Sequence, residues 1–354
     1  MQPMPTLCDL VVVGAGLAGS LVARRMAEAG MQVVVLEARH EVGGLSARGG
    51  GLAILGTPEP YTALVERVGR EEAAQIWALT QRNLDLLRSQ AEVLGVEVRR
   101  VGALRPVWGD AAALALQKSM ALLREDGFAA SLEDATKLGM TVGLQTQDDL
   151  LFDPLVLIEA ALEHPRITVQ TAAEVKTLER RGEAWDIWTG DSFVRTEALV
   201  LAGGGHVVHL DAGLAAYLST MPLQVLKGVT DAPGLSHPLI LDAGQVSAVT
   251  VGSRWQLSSW SSAAKVAPWT RLTQTAEQFC PEIRVVERYT IWVARSADGL
   301  PVVGALPRSP RLYTVGGLGP WGMSWAFVAV ERLVAMLLHA AELGLLDISR
   351  FTMD

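Results

Sequence analysis

Cysteine and histidine are scarce in this chain, which has two cysteines and six histidines among 354 residues. Cys8 and Cys280 lie far apart and make no metal-ligand spacing or disulfide framework, so a reducing compartment, the cytoplasm, is expected. The histidines lack any partner pattern and are predicted to be structural: His40, His164, His206, His209, His237 and His339. The sequence therefore predicts no metal site and contains no compelling pair of catalytic acid and base.

The chain also lacks an excess of positive charge and a long uninterrupted apolar run. Its 30 Lys and Arg against 38 Asp and Glu give a net charge of −8, which is no general footprint for nucleic acid or for an anionic membrane surface. Charged residues interrupt the most hydrophobic segment, Trp321 to Leu346, whereas a spanning helix needs about 20 predominantly apolar residues. No charged region precedes the first apolar run, so no signal peptide is predicted.

Glycine, by contrast, is abundant, with 34 residues, and its first cluster follows a short apolar run. Val11 to Val13 are typical of a parallel strand buried on both faces. Gly14, Gly16 and Gly19 then form G-x-G-x-x-G where the strand should become a helix. The first permits a tight turn, the second lets a pyrophosphate approach the backbone, and the third allows close packing. The helix N-terminus would direct free N–H groups and a positive dipole at the phosphates.

A second strand and an acidic residue complete this motif. Val33 to Leu36 predict the strand, and Glu37 at its end is placed to accept hydrogen bonds from an adenosine ribose. A second glycine-rich stretch, 43–51, predicts backbone that runs against a ligand or adopts positive φ, with a flexible loop as the alternative. Together these features predict a dinucleotide site. An ordinary α/β domain with a glycine turn is the competing interpretation.

At this length the chain allows about two domains. Residues 58–140 are predicted to be mostly helical, with a capping box formed by Ser131 and Asp134. The aromatic residues of this segment are assigned to the core: Trp77, Trp108 and Phe128. Residues 222–292 predict short strands that form a natural substrate platform, and three tryptophans belong to it: Trp255, Trp260 and Trp269. A hairpin is predicted around Gly190-Asp191.

Glycines also follow two later strands. Ala198 to Leu201 lead into Ala202-Gly203-Gly204-Gly205, which indicates that the chain re-enters the nucleotide-binding layer. Leu312 to Val315 are followed by the glycine-rich turn 316–324 and a long apolar helix. This turn offers a second positive helix end to another part of the ligand, which is unexpected for a simple NAD domain.

In this order the motifs resemble the D-amino acid oxidase-like family of FAD-dependent oxidoreductases, which includes glycine oxidase and sarcosine oxidase. The resemblance rests on GAGLAG with Glu37, GGLSARGGG, FDPLVLIEAAL, LVLAGGG, and the pairing of DGLPVVG with GGLGPWG. It implies an α/β fold, α+β overall, in which a Rossmann-like FAD-binding domain carries an inserted mixed or antiparallel β-sheet substrate domain. The FAD-binding domain would comprise residues 1–57, 141–206 and 294–354, and the substrate domain residues 58–140 and 207–293.

The resemblance also implies where FAD would bind, non-covalently because no residue matches an attachment cysteine. The pyrophosphate would lie at the first glycine motif, the ribose at Glu37, the adenine beside Val175, and the flavin pyrimidine beside the turn 317–324. The implied FAD contacts are Gly14, Ala15, Gly16, Leu17, Ala18, Gly19, Glu37, Ala38, Arg39, Gly43, Gly44, Leu45, Ser46, Val175, Ala202, Gly203, Gly204, Gly317, Leu318, Gly319, Trp321, Gly322, Met323 and Ser324.

The implied reaction oxidises the C–N bond of an amine or amino acid. Hydride passes to flavin N5, the imine hydrolyses, and O2 or another acceptor reoxidises the flavin. Amino-acid-binding members place a carboxylate-clamping arginine five residues before the aspartate of D-G-x-P, where this chain has Val293. Arg295 shares that strand face and is the candidate substitute, with a surface role as the alternative. Arg48 and Arg288 are weaker substitutes, and Arg48 and Trp260 join Arg295 as the candidate catalytic residues. An amine without a carboxylate stays open as the substrate.

Three other functions remain open at this point. The middle of the chain, ending MPLQVLKG, is also similar to the oxidase module of the bacterial enzyme that processes the aminomethyl group of wobble uridine in tRNA. Oxidative removal of a carboxymethyl group from tRNA is therefore one alternative, although the acidic balance and the missing methyltransferase domain count against it. A non-catalytic flavin-binding protein and an NAD-dependent dehydrogenase are the others. The sequence gives neither the electron acceptor nor the oligomeric state.

Overall fold

A computed structural model describes residues 7–190, 192–211, 213–260, 268–280 and 282–351. Its α-helices are α1 Leu17–Glu28, α2 Tyr61–Val68, α3 Arg70–Leu94, α4 Asp110–Glu125, α5 Pro154–Leu162, α6 Leu214–Tyr217, α7 Pro268–Phe279 and α8 Ala326–His339. Its strands are β1 Leu7–Val13, β2 Val33–Leu36, β3 Leu52–Ala53, β4 Val98–Arg100, β5 Ala103–Val107, β6 Ser131–Asp134, β7 Val142–Thr146, β8 Leu150–Phe152, β9 Ile167–Gln170, β10 Thr177–Arg181, β11 Ala184–Thr189, β12 Ser192–Leu201, β13 Ser219–Val229, β14 Leu239–Leu241, β15 Val246–Val251, β16 Arg254–Ser259, β17 Arg284–Arg295, β18 Val302–Ala305 and β19 Leu312–Gly316.

The first sheet is built on parallel strands in the order β9-β2-β1-β12-β19, extended by the antiparallel β10-β11 hairpin and β18. Val12 in β1 lies opposite Val35 in β2 and Val200 in β12, and all three are fully buried. Continuous valine runs suit such strands because both faces are covered. The chain proceeds from β1 to one side and returns through β12 on the other, so the strand order reverses between them. Ligands of open α/β sheets bind at this reversal.

The second sheet, in the order β17-β13-β16-β15-β14-β5-β7-β6, is antiparallel except where β14 meets β5. A small third sheet contains three strands in the order β3-β8-β4. The predicted fold class is therefore confirmed: an α/β layer with a parallel core and a mixed, mainly antiparallel second sheet. The expected domain boundary at residue 141 falls between β6 and β7, two strands that pair with each other in the second sheet.

Several local predictions need correction. Residues 58–140 contain α2, α3 and α4 as expected, but also β4, β5 and β6. Ser131 and Asp134 do not form a helical capping box, because they are the ends of β6 and pair with β7. The Asp134 carboxylate instead accepts a hydrogen bond from the Thr136 amide at 2.9 Å and starts a 3-10 turn. Asp191, in the predicted hairpin turn, lies outside the described residues.

The aromatic core prediction holds for two of three residues. Trp77 and Phe128 are 1% and 7% exposed, and their ring centroids lie 5.4 Å apart. Trp108, by contrast, is 78% exposed, so it is not a core residue. The predicted apolar helix covers only part of the hydrophobic segment from Trp321 to Leu346, since α8 spans Ala326–His339. In the part of the chain that the structure describes, no helix has the length and apolar character needed to cross a membrane.

Candidate functional site

A cavity of about 870 Å³ opens where the strand order of the first sheet reverses, and the second sheet forms its opposite wall. The first-sheet side is lined by residues that follow β1, β2, β12 and β19. The wall opposite, called here the second-sheet wall, is lined by Leu223, Ser247, Val249, Gln256, Ser258, Trp260, Ile291 and Val293. One continuous space therefore joins the predicted nucleotide motif to the predicted substrate platform.

Glu37 is fixed at the nucleotide side of this cavity. Its side chain lines the cavity although the residue is only 7% exposed. One carboxylate oxygen accepts a hydrogen bond from the Ala15 amide and the other from the Arg39 amide, both at 2.9 Å. These two bonds hold the carboxylate in one orientation, with lone pairs left over for ribose hydroxyl groups.

The glycines of the first motif have three separate structural roles. Gly14 has φ +106°, and a Cβ there would lie 2.8 Å from the Cα of Gly203, so β1 and β12 approach closely at their ends. A Cβ at Gly19 would lie 1.9 Å from the Gly14 carbonyl oxygen, so only a glycine allows α1 to pack this closely against the end of β1. A Cβ at Gly16 would meet only Ser46 Oγ, at 3.4 Å. The space beside Gly16 therefore belongs to the cavity, as a bound pyrophosphate requires.

The second glycine stretch is tied to the first at Ser46. Its hydroxyl oxygen accepts a hydrogen bond from the Leu17 amide, the first of α1, at 3.1 Å. The Gly43 amide donates to the Ala15 carbonyl at 2.8 Å. The stretch is thus anchored, and the alternative of a loose loop does not describe it. Gly44 lines the cavity with φ +51° and would meet nothing within 4 Å of a Cβ, so its backbone is open to a ligand.

The C-terminal glycine turn is held by a residue that the sequence did not single out. Asn83 in α3 is fully buried and donates from Nδ2 to the Met323 carbonyl at 2.9 Å. Its Oδ1 accepts from the amides of Phe327 at 2.9 Å and Val328 at 3.2 Å. These two amides of the first turn of α8 are therefore satisfied by Asn83 rather than offered to a ligand. The turn before the helix, Gly317 to Met323, lines the cavity.

Most of the predicted FAD contacts come together. Lining the cavity are Gly14, Gly16, Leu17, Ala18, Glu37, Ala38, Arg39, Gly44, Leu45, Ser46, Val175, Ala202, Gly203, Gly204, Gly317, Leu318, Gly319, Trp321, Gly322 and Met323. Four lie behind the lining: Ala15, Gly19, Gly43 and Ser324. Ser324 is fully buried, and its Oγ accepts from the Ile54 amide at 2.8 Å, so its side chain supports the turn from the protein side.

The candidate arginines are not part of the cavity lining. Arg48 is exposed, with its guanidinium carbon 5.8 Å from the ring centroid of Tyr289. Its carbonyl accepts from the Tyr289 hydroxyl at 2.9 Å and from Gln256 Nε2 at 3.2 Å. Arg295 is half-buried at the end of β17, where its backbone bridges Leu318. Val293 lines the second-sheet wall, but Arg295, two residues further on, does not.

Two tryptophans close the second-sheet side. Trp260 and Trp321 both line the cavity, and both indole N–H groups donate to the Gly244 carbonyl, at 2.9 and 3.3 Å. Trp255, also expected on the platform, is 2% exposed and belongs to the core. Sequence reasoning missed Ser247, Gln256 and Ser258, although alternation along β15 and β16 could have placed them on one face. It also missed His206 and His209, which line the cavity after LVLAGGG at helical spacing.

A buried polar network holds the backbone of Leu55, two residues after β3. Asp149 accepts from the Leu55 amide at 2.7 Å and from the Thr146 hydroxyl at 2.6 Å. Arg105 donates to Thr146 Oγ1 at 2.8 Å and to the Leu55 carbonyl at 2.9 Å. Burial raises the pKa of Asp149 to about 6, against the opposing charge of Arg105, and burial also lowers the pKa of Arg105.

Comparison with known proteins agrees with this geometry. The tRNA 5-methylaminomethyl-2-thiouridine biosynthesis bifunctional protein MnmC of Pseudomonas putida (strain W619) is 27% identical over 260 residues, which cover 68% of this chain and 36% of that protein. The solved glycine oxidase from Geobacillus kaustophilus has a TM-score of 0.79 at 17% identity, covering 98% of this chain and 99% of that one. L-Proline dehydrogenase from P. horikoshii also has a TM-score of 0.79, at 15% identity, covering 98% of both chains.

The two kinds of similarity support different statements. At these identities the solved structures share the fold with this chain. The chain spans 36% of the length of the P. putida protein and 57% of the length of the MnmC protein of Polaromonas naphthalenivorans (strain CJ2). The activity of those longer proteins is therefore not assigned to this chain by the similarity. The model of the DAO family, described as FAD dependent oxidoreductase, matches residues 9–336. This match covers most of the sequence, and the chain therefore belongs to the DAO family of FAD dependent oxidoreductases.

Proposed function

We propose that this chain oxidises the C–N bond of an amine or amino acid with non-covalently bound FAD. The observation that carries the proposal is the continuous cavity that runs from the fixed Glu37 carboxylate to the second-sheet wall. Bound FAD would supply the acceptor for the hydride removed from the carbon next to the amine nitrogen. The second-sheet wall would then hold the substrate against it.

The residues present fit FAD. Glu37 offers a carboxylate for the ribose, and Gly16 and Gly44 leave backbone without side chains beside the cavity. Val175 would flank the adenine, and the turn from Gly317 to Met323 would face the flavin pyrimidine. A non-covalent mode is supported by the cysteines, because Cys8 and Cys280 are both buried and neither lines the cavity.

The protein's own part in the reaction is to orient the amine, to exclude water and to keep the amine neutral. The second-sheet wall suits these tasks, since it combines aliphatic side chains with hydroxyl and amide groups. A neutral amine retains the nitrogen lone pair that forms the C=N bond as hydride leaves, so no general base is needed. Water then hydrolyses the imine.

Anaerobic mixing of the holoprotein with a panel of primary and secondary amines tests the proposal. We expect at least one amine to remove the absorbance of oxidised flavin, because hydride transfer reduces it. Alcohols of the same carbon skeleton serve as controls and should leave the spectrum unchanged. A flavin that dithionite reduces but no amine reduces would favour the alternative of a non-catalytic flavin-binding protein.

A second candidate function is oxidation of a wobble-uridine side chain in tRNA, and the MnmC relatives favour it. Against it stands the net charge of −8, because tRNA binding normally relies on Lys and Arg contacts to phosphates. Titration with bulk tRNA at several salt concentrations distinguishes the two. This candidate expects an affinity that falls steeply with salt, whereas the main proposal expects no measurable binding.

A further inference from the structure

Two indole rings on the cavity wall donate hydrogen bonds to the same backbone carbonyl oxygen. Trp260 directly follows β16 of the second sheet, and Trp321 belongs to the C-terminal glycine turn. Both Nε1–H groups donate to the Gly244 carbonyl, so the two nitrogens lie no farther apart than the sum of bonds of 2.9 and 3.3 Å. Because both donors are in use, these rings present π surface and C–H edges to the cavity and no hydrogen-bond donor.

The shared carbonyl is itself held rigidly. It follows two non-glycine residues in the left-handed region, Asp242 and Ala243, both with φ 52°. Gly244 has φ +85°, and a Cβ there would lie 2.0 Å from the Cβ of Pro58. Arg271 pairs with the Asp242 carboxylate and donates to Gln245 Oε1 at 3.0 Å. Strained backbone of this kind persists where the surroundings enforce it, and it clusters at ligand sites.

The rest of the second-sheet wall is uncharged. Among the described residues it offers aliphatic side chains and three neutral polar ones, Ser247, Gln256 and Ser258. Gln256 uses its Nε2 on the Arg48 carbonyl, which leaves its Oε1 as an acceptor. Charged carboxylates and guanidinium in the lining are confined to the nucleotide side, at Glu37, Arg39 and Glu174. The wall therefore holds acceptors for an N–H group but no described cation for a carboxylate.

We propose, building on the function proposed above, that the substrate is an amine without a carboxylate. Its hydrocarbon substituent packs on Trp260 and Trp321, and its N–H bonds to the neutral acceptors of the second-sheet wall. Burying a carboxylate here without a cationic partner would be strongly unfavourable. The face of an indole ring, by contrast, attracts the positive charge of an alkylated nitrogen and the partial positive charge of an amine N–H, so the two tryptophans suit an amine better than a carboxylate.

This inference also separates the two candidate functions. The tRNA alternative requires a carboxymethyl group, which carries a carboxylate. The amine proposed here carries none, so the same wall cannot satisfy both substrates equally well.

Two matched substrates test the inference in the holoprotein. N-Methylbenzylamine and N-benzylglycine share the benzylamine group and differ in the carboxylate. We expect N-methylbenzylamine to reduce the flavin anaerobically with a ratio of limiting rate to Kd at least about tenfold higher than that of N-benzylglycine. A tenfold ratio corresponds to about 1.4 kcal/mol, the minimum cost expected for placing a carboxylate beside the wall without a cationic partner. Binding is followed separately with benzyltrimethylammonium and phenylacetate, which undergo no C–N oxidation, through shifts of the flavin spectrum. The cation should bind measurably and the carboxylate should not.

Variants connect these results to the tryptophans. Trp260→Leu should raise the Kd for benzyltrimethylammonium about tenfold, while Trp260→Phe should retain most of the affinity at unchanged FAD content. Trp292→Leu is the matched control, because Trp292 is 54% exposed on β17 and lies outside the cavity lining. Its Kd should equal that of the parent.

The outcomes distinguish failure of the inference from failure of the proposed function. Faster reduction by N-benzylglycine would overturn the inference and leave amine oxidation standing. Arg295→Met and Lys265→Met, the latter at a position outside the described residues, would then identify the carboxylate partner. If neither amine reduces a flavin that dithionite reduces, amine oxidation fails and the substrate class fails with it. Equal binding of both inert probes would overturn the inference without bearing on oxidation.

Discussion

Replacement of Asn83 by leucine removes the buried amide that holds the C-terminal glycine turn. Leucine fills nearly the same volume but takes the hydrogen-bond partner away from three backbone groups: the buried amides of Phe327 and Val328 and the partly buried carbonyl of Met323. Each such group costs about 1–3 kcal/mol, so Asn83→Leu should lower the free energy of unfolding by about 3–9 kcal/mol. Asn83→Asp keeps both acceptor bonds, loses the donor to Met323, and should cost about 1–3 kcal/mol.

Equilibrium unfolding in urea, followed by far-UV circular dichroism in the same excess of FAD, measures both losses. Gln81→Leu is the matched control, since Gln81 is exposed on the same helix, and it should change stability by no more than about 0.5 kcal/mol. FAD affinity should fall in Asn83→Leu because the turn that faces the cavity loses its anchor. An Asn83→Leu protein as stable as the Gln81→Leu control would refute the assignment of the three bonds.

Three further predictions follow from positions already described. Gly16→Val should abolish FAD retention by filling the space beside the backbone, and a folded, yellow variant would place the phosphate site elsewhere. Gly56→Ala puts a Cβ 2.2 Å from Trp77 and should cost about 2–5 kcal/mol in urea unfolding, whereas Gly182→Ala, with a similar positive φ but open space, should cost about 1–2 kcal/mol; equal losses would contradict the packing argument. The folded-state pKa of Asp149, raised from 3.8 to about 6, means that stability should fall by up to about 3 kcal/mol as the pH rises through that window. Asp149→Asn should flatten this slope in pH-dependent unfolding, and an unchanged slope would show that another group titrates there.

Local signals in the sequence were sufficient for the nucleotide side of the fold. The valine run of β1, the glycines at 14, 16 and 19, and the acid at Glu37 lie in one continuous strand-helix-strand stretch, so their order and spacing are visible in the sequence. The cap of α5 is of the same kind, because the Asp153 carboxylate accepts from the amides of Leu155 and Val156 next to Pro154. Such features are readable because the partners are neighbours in the chain.

Partners that are distant in sequence could not be predicted in this way. Asn83 is 240 residues from Met323, and Trp260 meets Trp321 only through Gly244. Ser131 to Asp134 read locally as a helix start, but pairing with β7 decided their conformation. Whether a segment forms a β-strand depends more on a neighbouring strand with which it can pair than on the intrinsic preferences of its residues. Trp108 shows the same limit, since aromatic character alone does not reveal which side of a strand end faces solvent.

The C-terminal glycine turn connects the two parts of the site physically. Asn83 holds it from α3, the Ile54 amide bonds to Ser324, and the Gly244 carbonyl binds Trp321 from the second sheet. A change that displaces Gly244 would therefore disturb the glycine turn that lines the cavity as well as the two indoles on the cavity wall. Substitutions that displace Gly244 should then alter FAD affinity together with amine affinity. This coupling would give the two ligands cooperative binding, because each one stabilises the same arrangement of the turn.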